Sequence, residues 1–230
     1  MAQHIARTRF ERPSSAHPLS RRWLSRRWLM KRALDLVILV PLSVIALLLV
    51  GVCALAVYAV SRGNPFYAQV REGFGGRTFK VWKLRTMRVD AEAQLERHLA
   101  EHPEDRVEWE RSFKLTHDPR IIPVVGQALR RTSLDELPQL WNVATGEMSF
   151  VGPRPFPEYH LQAFDEEFRA LRSSVVPGLT GLWQVSGRSD GDLERQRELD
   201  ERYIKEWSVW LELYVLLVTP WAVLRGRGAR

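Results

Sequence analysis

Asp135 and Glu136 are adjacent carboxylates in the run RRTSLDELPQLWN (130–142), which opens on Arg130 and Arg131. Acids next to fixed cations stay ionised, and the same cations favour the approach of a phosphate. The spacing also carries a purely structural meaning. Ser133 and Glu136 stand three apart, as in a capping box that begins a helix with acids in its first turn. With Ser133 as the cap, Pro138 falls at the fifth helical position, where its missing N–H should bond back to Leu134. With Asp135 as the cap, the proline lies in the tolerant first turn. Either way the pair would stand at a positive helix end.

The elements that must hold this pair are of mixed type. Residues 79–85 (FKVWKLR) predict a short strand, and Ala91 to Ala100 a polar helix ended near Pro103. Rigid loops are expected at Asp118-Pro119-Arg120 and at Gly152-Pro153-Arg154-Pro155, and charged helices over Glu158–Arg172 and Asp192–Trp207. The stretch Leu213–Leu224 is too short to span a bilayer and contains Pro220, so it is expected to lie in the membrane interface with Trp207, Trp210 and Trp221. The fold class is therefore a helix-rich α/β mixture. With 230 residues the chain can bury a core without staples, and its single cysteine, Cys53, excludes an internal disulfide framework. The net charge of +7 predicts an anionic partner.

Residues 36–60 carry no charge, and at about 1.5 Å per residue they reach across a hydrocarbon core of about 30 Å. The chain is thus expected to divide into a basic, partly disordered leader (1–30), a membrane segment (31–62) and an α/β unit (63–230) that carries the acidic pair. Nine Lys/Arg precede the segment within residues 1–35 and seven follow within 61–90. Because positive flanks prefer the cytoplasm, a simple span strands one of them outside. A re-entrant helix broken at Pro41 keeps both inside, whereas a tilted span with a proline kink is the alternative. Asp35, next to Lys31 and Arg32, sits where a carboxylate can pair with a cation at the interface.

Four segments, KRALD (31–35), GNPFYAQVREGFGGRTFKVWKLRTM (63–87), DPRIIPVVGQALRRTSLDELPQLWNVATGEMSFVGPRP (118–155) and VVPGLTGLWQVSGR (175–188), closely resemble the bacterial sugar transferases, also called monotopic phosphoglycosyl transferases. The likeness runs from about Lys31 to Leu217. It implies transfer of a phosphosugar from a nucleotide diphosphate sugar, a UDP-sugar of glucose or galactose, to undecaprenyl phosphate with Mg²⁺, starting a surface exopolysaccharide at the cytoplasmic face of the inner membrane. It implies Asp135 as nucleophile and Glu136 as its partner, both candidates for the metal. Arg154, with Pro155 in the same turn, would hold a phosphate. Lys31, Arg32 and Asp35 would form an interfacial cluster, with Pro41 the helix break. The family pattern often has serine before that proline; in this chain Val40 precedes Pro41, and Ser43 stands two residues after Pro41. Lys83, Arg85, Arg120 and Arg131 are further candidates for phosphate contact. Membrane lipids are expected partners, and a homodimer is left open.

Two other classes are weighed against this. Asp190-Gly191-Asp192 has the Asp-x-Asp form by which many glycosyltransferases hold a metal and a nucleotide sugar, although Asp192 also suits an N-cap. A basic membrane scaffold would account for the leader and the charge but leaves the loops at Asp135 and Arg154 without a purpose. There is no Walker A loop, no G-x-G-x-x-G, no zinc-ligand spacing, and no helix-turn-helix or RNP pattern, so nucleic acid is not an expected partner.

Overall fold

The computed structural model describes residues 26–112, 115–186 and 193–224. The Asp190-Gly191-Asp192 triplet and most of the 1–30 leader lie outside the described residues. Helix α1 runs over Arg26–Val60, 35 residues, and so begins inside the segment expected to be leader. Beyond its charged first turns it is apolar on every side, and it is long enough to cross a membrane by length and composition. One seam along it nevertheless faces protein. Trp28, Lys31, Asp35, Leu39, Ser43, Ala46, Val50, Cys53 and Val57, three or four residues apart, are buried or half-buried, while Val37, Val40, Val44, Leu48, Val52 and Leu55 are exposed. That spacing is the helical repeat, so α1 lies against the rest of the chain near both of its ends.

Pro41 does not break α1: the chain is helical on both sides of it. An interior proline removes one bond and kinks a helix, and in a segment this long the flanking turns keep their own bonds. Ser43 donates its hydroxyl to the Val40 carbonyl at 2.8 Å, adding a bond just after the proline.

Strands β1 (Phe66–Glu72) and β2 (Thr78–Leu84) form an antiparallel hairpin in which Tyr67 pairs Lys83, Gln69 pairs Val81 and Arg71 pairs Phe79. Period-two alternation sends Phe79 and Val81 into the core and leaves Thr78, Lys80 and Trp82 on the exposed face. Next come α2 (Ala91–Glu101), α3 (Pro103–Ser112) and α4 (Val125–Thr132), then a 3₁₀ segment (Leu134–Gln139), α5 (Leu140–Thr145) and β3 (Ser149–Val151). The chain continues through α6 (Glu158–Leu161), α7 (Glu166–Ser173), β4 (Gly178–Thr180), α8 (Leu182–Val185), α9 (Leu193–Lys205) and α10 (Val209–Leu224). The single helix expected over 158–172 is thus two. Asp165 starts the second by accepting the Phe168 N–H at 2.8 Å, a local cap that competes with continuing the first.

The main core joins α1 (Leu39, Ala46) to the hairpin (Phe79, Val81), α5, β3, α7, α9 and α10, and a smaller one packs Val57 with Leu84, Ile122 and Leu129. Helix α10 exposes Trp210, Leu217, Trp221 and Leu224. Trp207, expected at the membrane interface, is buried instead and donates to Glu212 at 2.7 Å.

Strands β3 and β4 pair in parallel and approach closely through Gly152 and Gly178. A methyl group on Gly178 would stand 2.0 Å from the Gly152 nitrogen, a backbone atom that cannot swing aside. Gly178→Ala is therefore expected to destabilise the protein by on the order of 1–3 kcal/mol. The measurement is the thermal midpoint of the detergent-solubilised variant, and an unchanged midpoint would contradict the packing.

Candidate active site

Five elements converge on the acidic pair. Helix α4 ends at Ser133, whose φ of 57° is left-handed, and whose N–H bonds the Arg130 carbonyl at 3.2 Å. This reversal starts the 3₁₀ segment that carries Asp135 and Glu136. Neither Ser133 nor Asp135 caps it with a side chain, so both readings of a helix start are corrected. A segment of one or two 3₁₀ turns has little dipole, and the positive field comes from side chains instead. Asn142, fully buried, fixes the partner strand: its amide donates to the Lys80 carbonyl at 2.7 Å and its oxygen accepts the Trp82 N–H at 3.3 Å. That clip holds Lys83 over the pair.

Lys83 Nζ lies 2.8 Å from Glu136 Oε1, and Arg154 donates to the same oxygen at 2.7 Å from the loop after β3. Burial alone would raise the Glu136 carboxyl, but the charges of Arg154 and Lys83 outweigh it and hold Glu136 well below the usual carboxylate range. Asp135 behaves oppositely. Burial first, and the Glu136 charge second, push it up to about 6, against the pull of Lys83, Arg130 and Arg154. The two neighbours are thus separated in role by environment, a permanently ionised anchor and a carboxylate that titrates near neutrality. Among the described residues Asp135 accepts no hydrogen bond, so its oxygens are available.

The structure brings together Asp135, Glu136, Lys83 and Arg154 from the sequence expectation. It moves other candidates away. Arg85 donates to the carbonyls of Ser61 and Arg62 just beyond α1. Arg120 is held by both oxygens of Asp118, at 2.8 and 2.6 Å, and stacks 4.7 Å from the Trp109 ring. Arg131 is exposed, while its neighbour Arg130 turns inward, donates to Thr86 Oγ1 at 3.0 Å and acts on Asp135 through its charge. Pro155 is buried and lines a small cleft beside Arg154 rather than touching the pair.

Arg71 was missed. It stands on the same hairpin face as Lys83, and the next residue, Glu72, donates its N–H to the Phe156 carbonyl at 3.2 Å, which ties the strand to the Arg154 loop. Burial and the nearby Arg154 charge lower its guanidinium to about 10. The signal was present in the period-two spacing of residues 67, 69 and 71 opposite Lys83.

The expected interfacial cluster is a buried network. Lys31, only 3% exposed, donates to the Val151 carbonyl at 2.6 Å, to Glu212 Oε1 at 2.6 Å and to the Tyr203 hydroxyl at 3.1 Å. Asp35 accepts from Ser149 Oγ at 2.8 Å and from the Phe150 N–H at 3.0 Å. Arg32 donates to the carbonyls of Val143 and Ala144, so a cation sits at the C-terminal end of α5. These residues therefore tie α1 to the strand that delivers Arg154.

Residues 26–226 match the model of the family described as bacterial sugar transferase, and the chain belongs to that family. It is 46% identical over 192 residues to the UDP-galactose-lipid carrier transferase of Erwinia amylovora, covering 82% of this chain and 39% of that protein. It is 42% identical over 190 residues to the exopolysaccharide production protein ExoY of Rhizobium meliloti (strain 1021), covering 80% of this chain and 83% of that one. Similarity to the UDP-glucose:undecaprenyl-phosphate glucose-1-phosphate transferase of Escherichia coli (strain K12) is 41% over 177 residues, 72% of this chain and 34% of that protein. The chain thus spans little more than a third of the longer relatives and most of ExoY.

Proposed function

We propose that this chain transfers a sugar-1-phosphate, of glucose or galactose, from a UDP-sugar to undecaprenyl phosphate at the cytoplasmic face of the inner membrane, beginning exopolysaccharide assembly. The observation that carries the reading is an unbonded Asp135 carboxylate beside a Glu136 that two cations grip. A pyrophosphate repels nucleophiles because its oxygens are negative, and Lys83, Arg154, Arg130 and Arg71 supply positive charge where that negative charge accumulates. An Asp135 oxygen attacks the β-phosphorus, and the bond from that phosphorus to the bridging oxygen breaks. UMP leaves with the bond's electrons, and an aspartyl phosphosugar remains. An oxygen of undecaprenyl phosphate then attacks the same phosphorus and returns Asp135 to its carboxylate, so one hard transfer becomes two.

Mg²⁺ suits the donor set, since it takes one or two carboxylates and fills its shell with water and phosphate oxygens. Asp135 and Glu136 would hold it, and it would add positive charge beside the pyrophosphate. Among the described residues no group of three or more His, Cys, Asp or Glu side chains is placed to hold an ion.

The contacts of α1 support the membrane topology proposed here. Its first turns are buried against β3 and α10, and the residues just after it bond Arg85. With both ends docked on one catalytic unit, we favour a re-entrant course over a simple span, with α1 bent rather than broken at Pro41. Cysteines introduced at positions 20 and 75 should both resist labelling from outside intact cells; labelling of one alone would refute this course.

The deciding experiment incubates membranes with a panel of UDP-sugars and undecaprenyl phosphate. UMP and a lipid-linked phosphosugar are expected, and release of UDP would refute the mechanism. A pH series adds a second check. The nucleophile must be ionised, so kcat/KM should fall about tenfold per unit below about pH 6, the value to which Asp135 is raised, and level off above it. An acid limb centred near pH 4 would mean that Asp135 is not the group being titrated.

A further inference from the structure

Arg172, near the end of α7, is buried and takes no part in the chemistry above. Its NH2 donates to the main-chain carbonyl of Arg154 at 2.5 Å. Its guanidinium lies 3.9 Å from the centroid of the Phe156 ring, and its Nε stands 3.4 Å from Oδ2 of Asp200 on α9. The pair is poorly satisfied: Arg172 Nε and NH1 and Asp200 Oδ2 are buried without a hydrogen-bond partner. Burial lowers the Arg172 guanidinium and pushes the Asp200 carboxyl up to about 6, the direction expected where attraction does not offset lost hydration. Such a pair adds little stability, and apolar side chains of similar volume would serve the fold as well.

What the guanidinium does provide is a fixed point on one short turn. The Pro153 carbonyl accepts from the Gly178 N–H at 2.9 Å and the Phe156 carbonyl from the Glu72 N–H at 3.2 Å. Between them stands Arg154, flanked by two prolines that cannot donate, and its carbonyl is held by the Arg172 side chain. The direction in which Arg154 leaves the backbone toward Glu136 is set at that carbonyl.

We infer that Arg172, seated on Phe156 and beside Asp200, is a positioning residue that aims Arg154 at the phosphate of the donor. The inference rests on the reading of Arg154 as a phosphate-binding group. A displacement of about 1 Å at such a group costs on the order of 10²-fold in rate.

The test is a double-mutant cycle on the full chain in lipid nanodiscs, with UDP-glucose or UDP-galactose and undecaprenyl phosphate. Arg172→Met is expected to lower kcat at least tenfold with the donor KM within about threefold, as for an interaction realised in the transition state. The amount of phosphosugar trapped per protein should stay near that of the parent, since that amount counts competent molecules rather than their speed. In an Arg154→Lys background the same substitution should cost less than twofold, because the group being aimed is already gone. Factors that multiply in the double variant, or a loss confined to the trapped amount, would overturn the inference and leave Arg172 a packing residue. If Arg172→Met does not fold, Asp200→Asn carries the same cycle, with a loss of about threefold or more expected in the parent and none in the Arg154→Lys background. Should the parent release UDP and form no adduct, the phosphosugar reading fails and the cycle is read on that turnover. Should it turn over no UDP-sugar, the cycle is read on the Kd for UDP, where additive effects again overturn the inference.

Discussion

Asp135→Asn is expected to bind membranes and fold normally while losing turnover by on the order of 10⁴-fold or more, as when an enzyme loses its nucleophile. The amide has the shape of the carboxylate but no anionic oxygen to attack phosphorus. Stability should hold or rise slightly. Burial and Glu136 raise the folded pKa of Asp135 to about 6, above its ordinary value, so the ionised form at neutral pH works against folding, and a neutral side chain removes that penalty. The measurements are UMP release, the trapped adduct and the thermal midpoint, taken on one preparation. Retained turnover with an unchanged midpoint would remove Asp135 from the chemistry.

Lys31→Met should produce the largest loss of stability. Lys31 and Glu212 are 3% and 1% exposed and 2.6 Å apart, and Glu212 also accepts from Trp207 and Tyr203. Removing one partner strands a buried carboxylate, which costs about 3–5 kcal/mol, whereas replacing both by apolar residues is close to neutral. The double variant Lys31→Met, Glu212→Leu should therefore recover most of the loss. The readout is the half-life of the folded, solubilised protein at fixed temperature. A double variant no better than the single one would mean that Glu212 is not what suffers.

The residues that meet at the candidate site were legible because they are clustered in chain and carry distinctive types. Asp135, Glu136 and Arg154 lie within 20 positions of one another, and Lys83 sits in a strand whose alternation is plain. The clamp on α1 was not legible. Lys31 and Glu212 are 181 positions apart, and each in isolation looks like a residue seeking water. The seam on α1 was hidden because from Leu36 onward nearly every position around that helix is apolar, so periodicity carries little contrast. The helix expected at Asp135 failed because a left-handed Ser133 overrides the local capping pattern. Trp207 was assigned to the interface by its type, yet its indole N–H is needed by a carboxylate five residues on.

Since α1 supplies Leu39 and Ala46 to one core and Val57 to the other, and since Lys31 and Asp35 brace the strand before Arg154, the anchor cannot be trimmed away to obtain a water-soluble enzyme. A chain begun at residue 62 would expose two hydrophobic faces and aggregate. On the proposed reading, choice of lipid or surfactant thus bears on activity, through an apolar helix whose packing the candidate site shares.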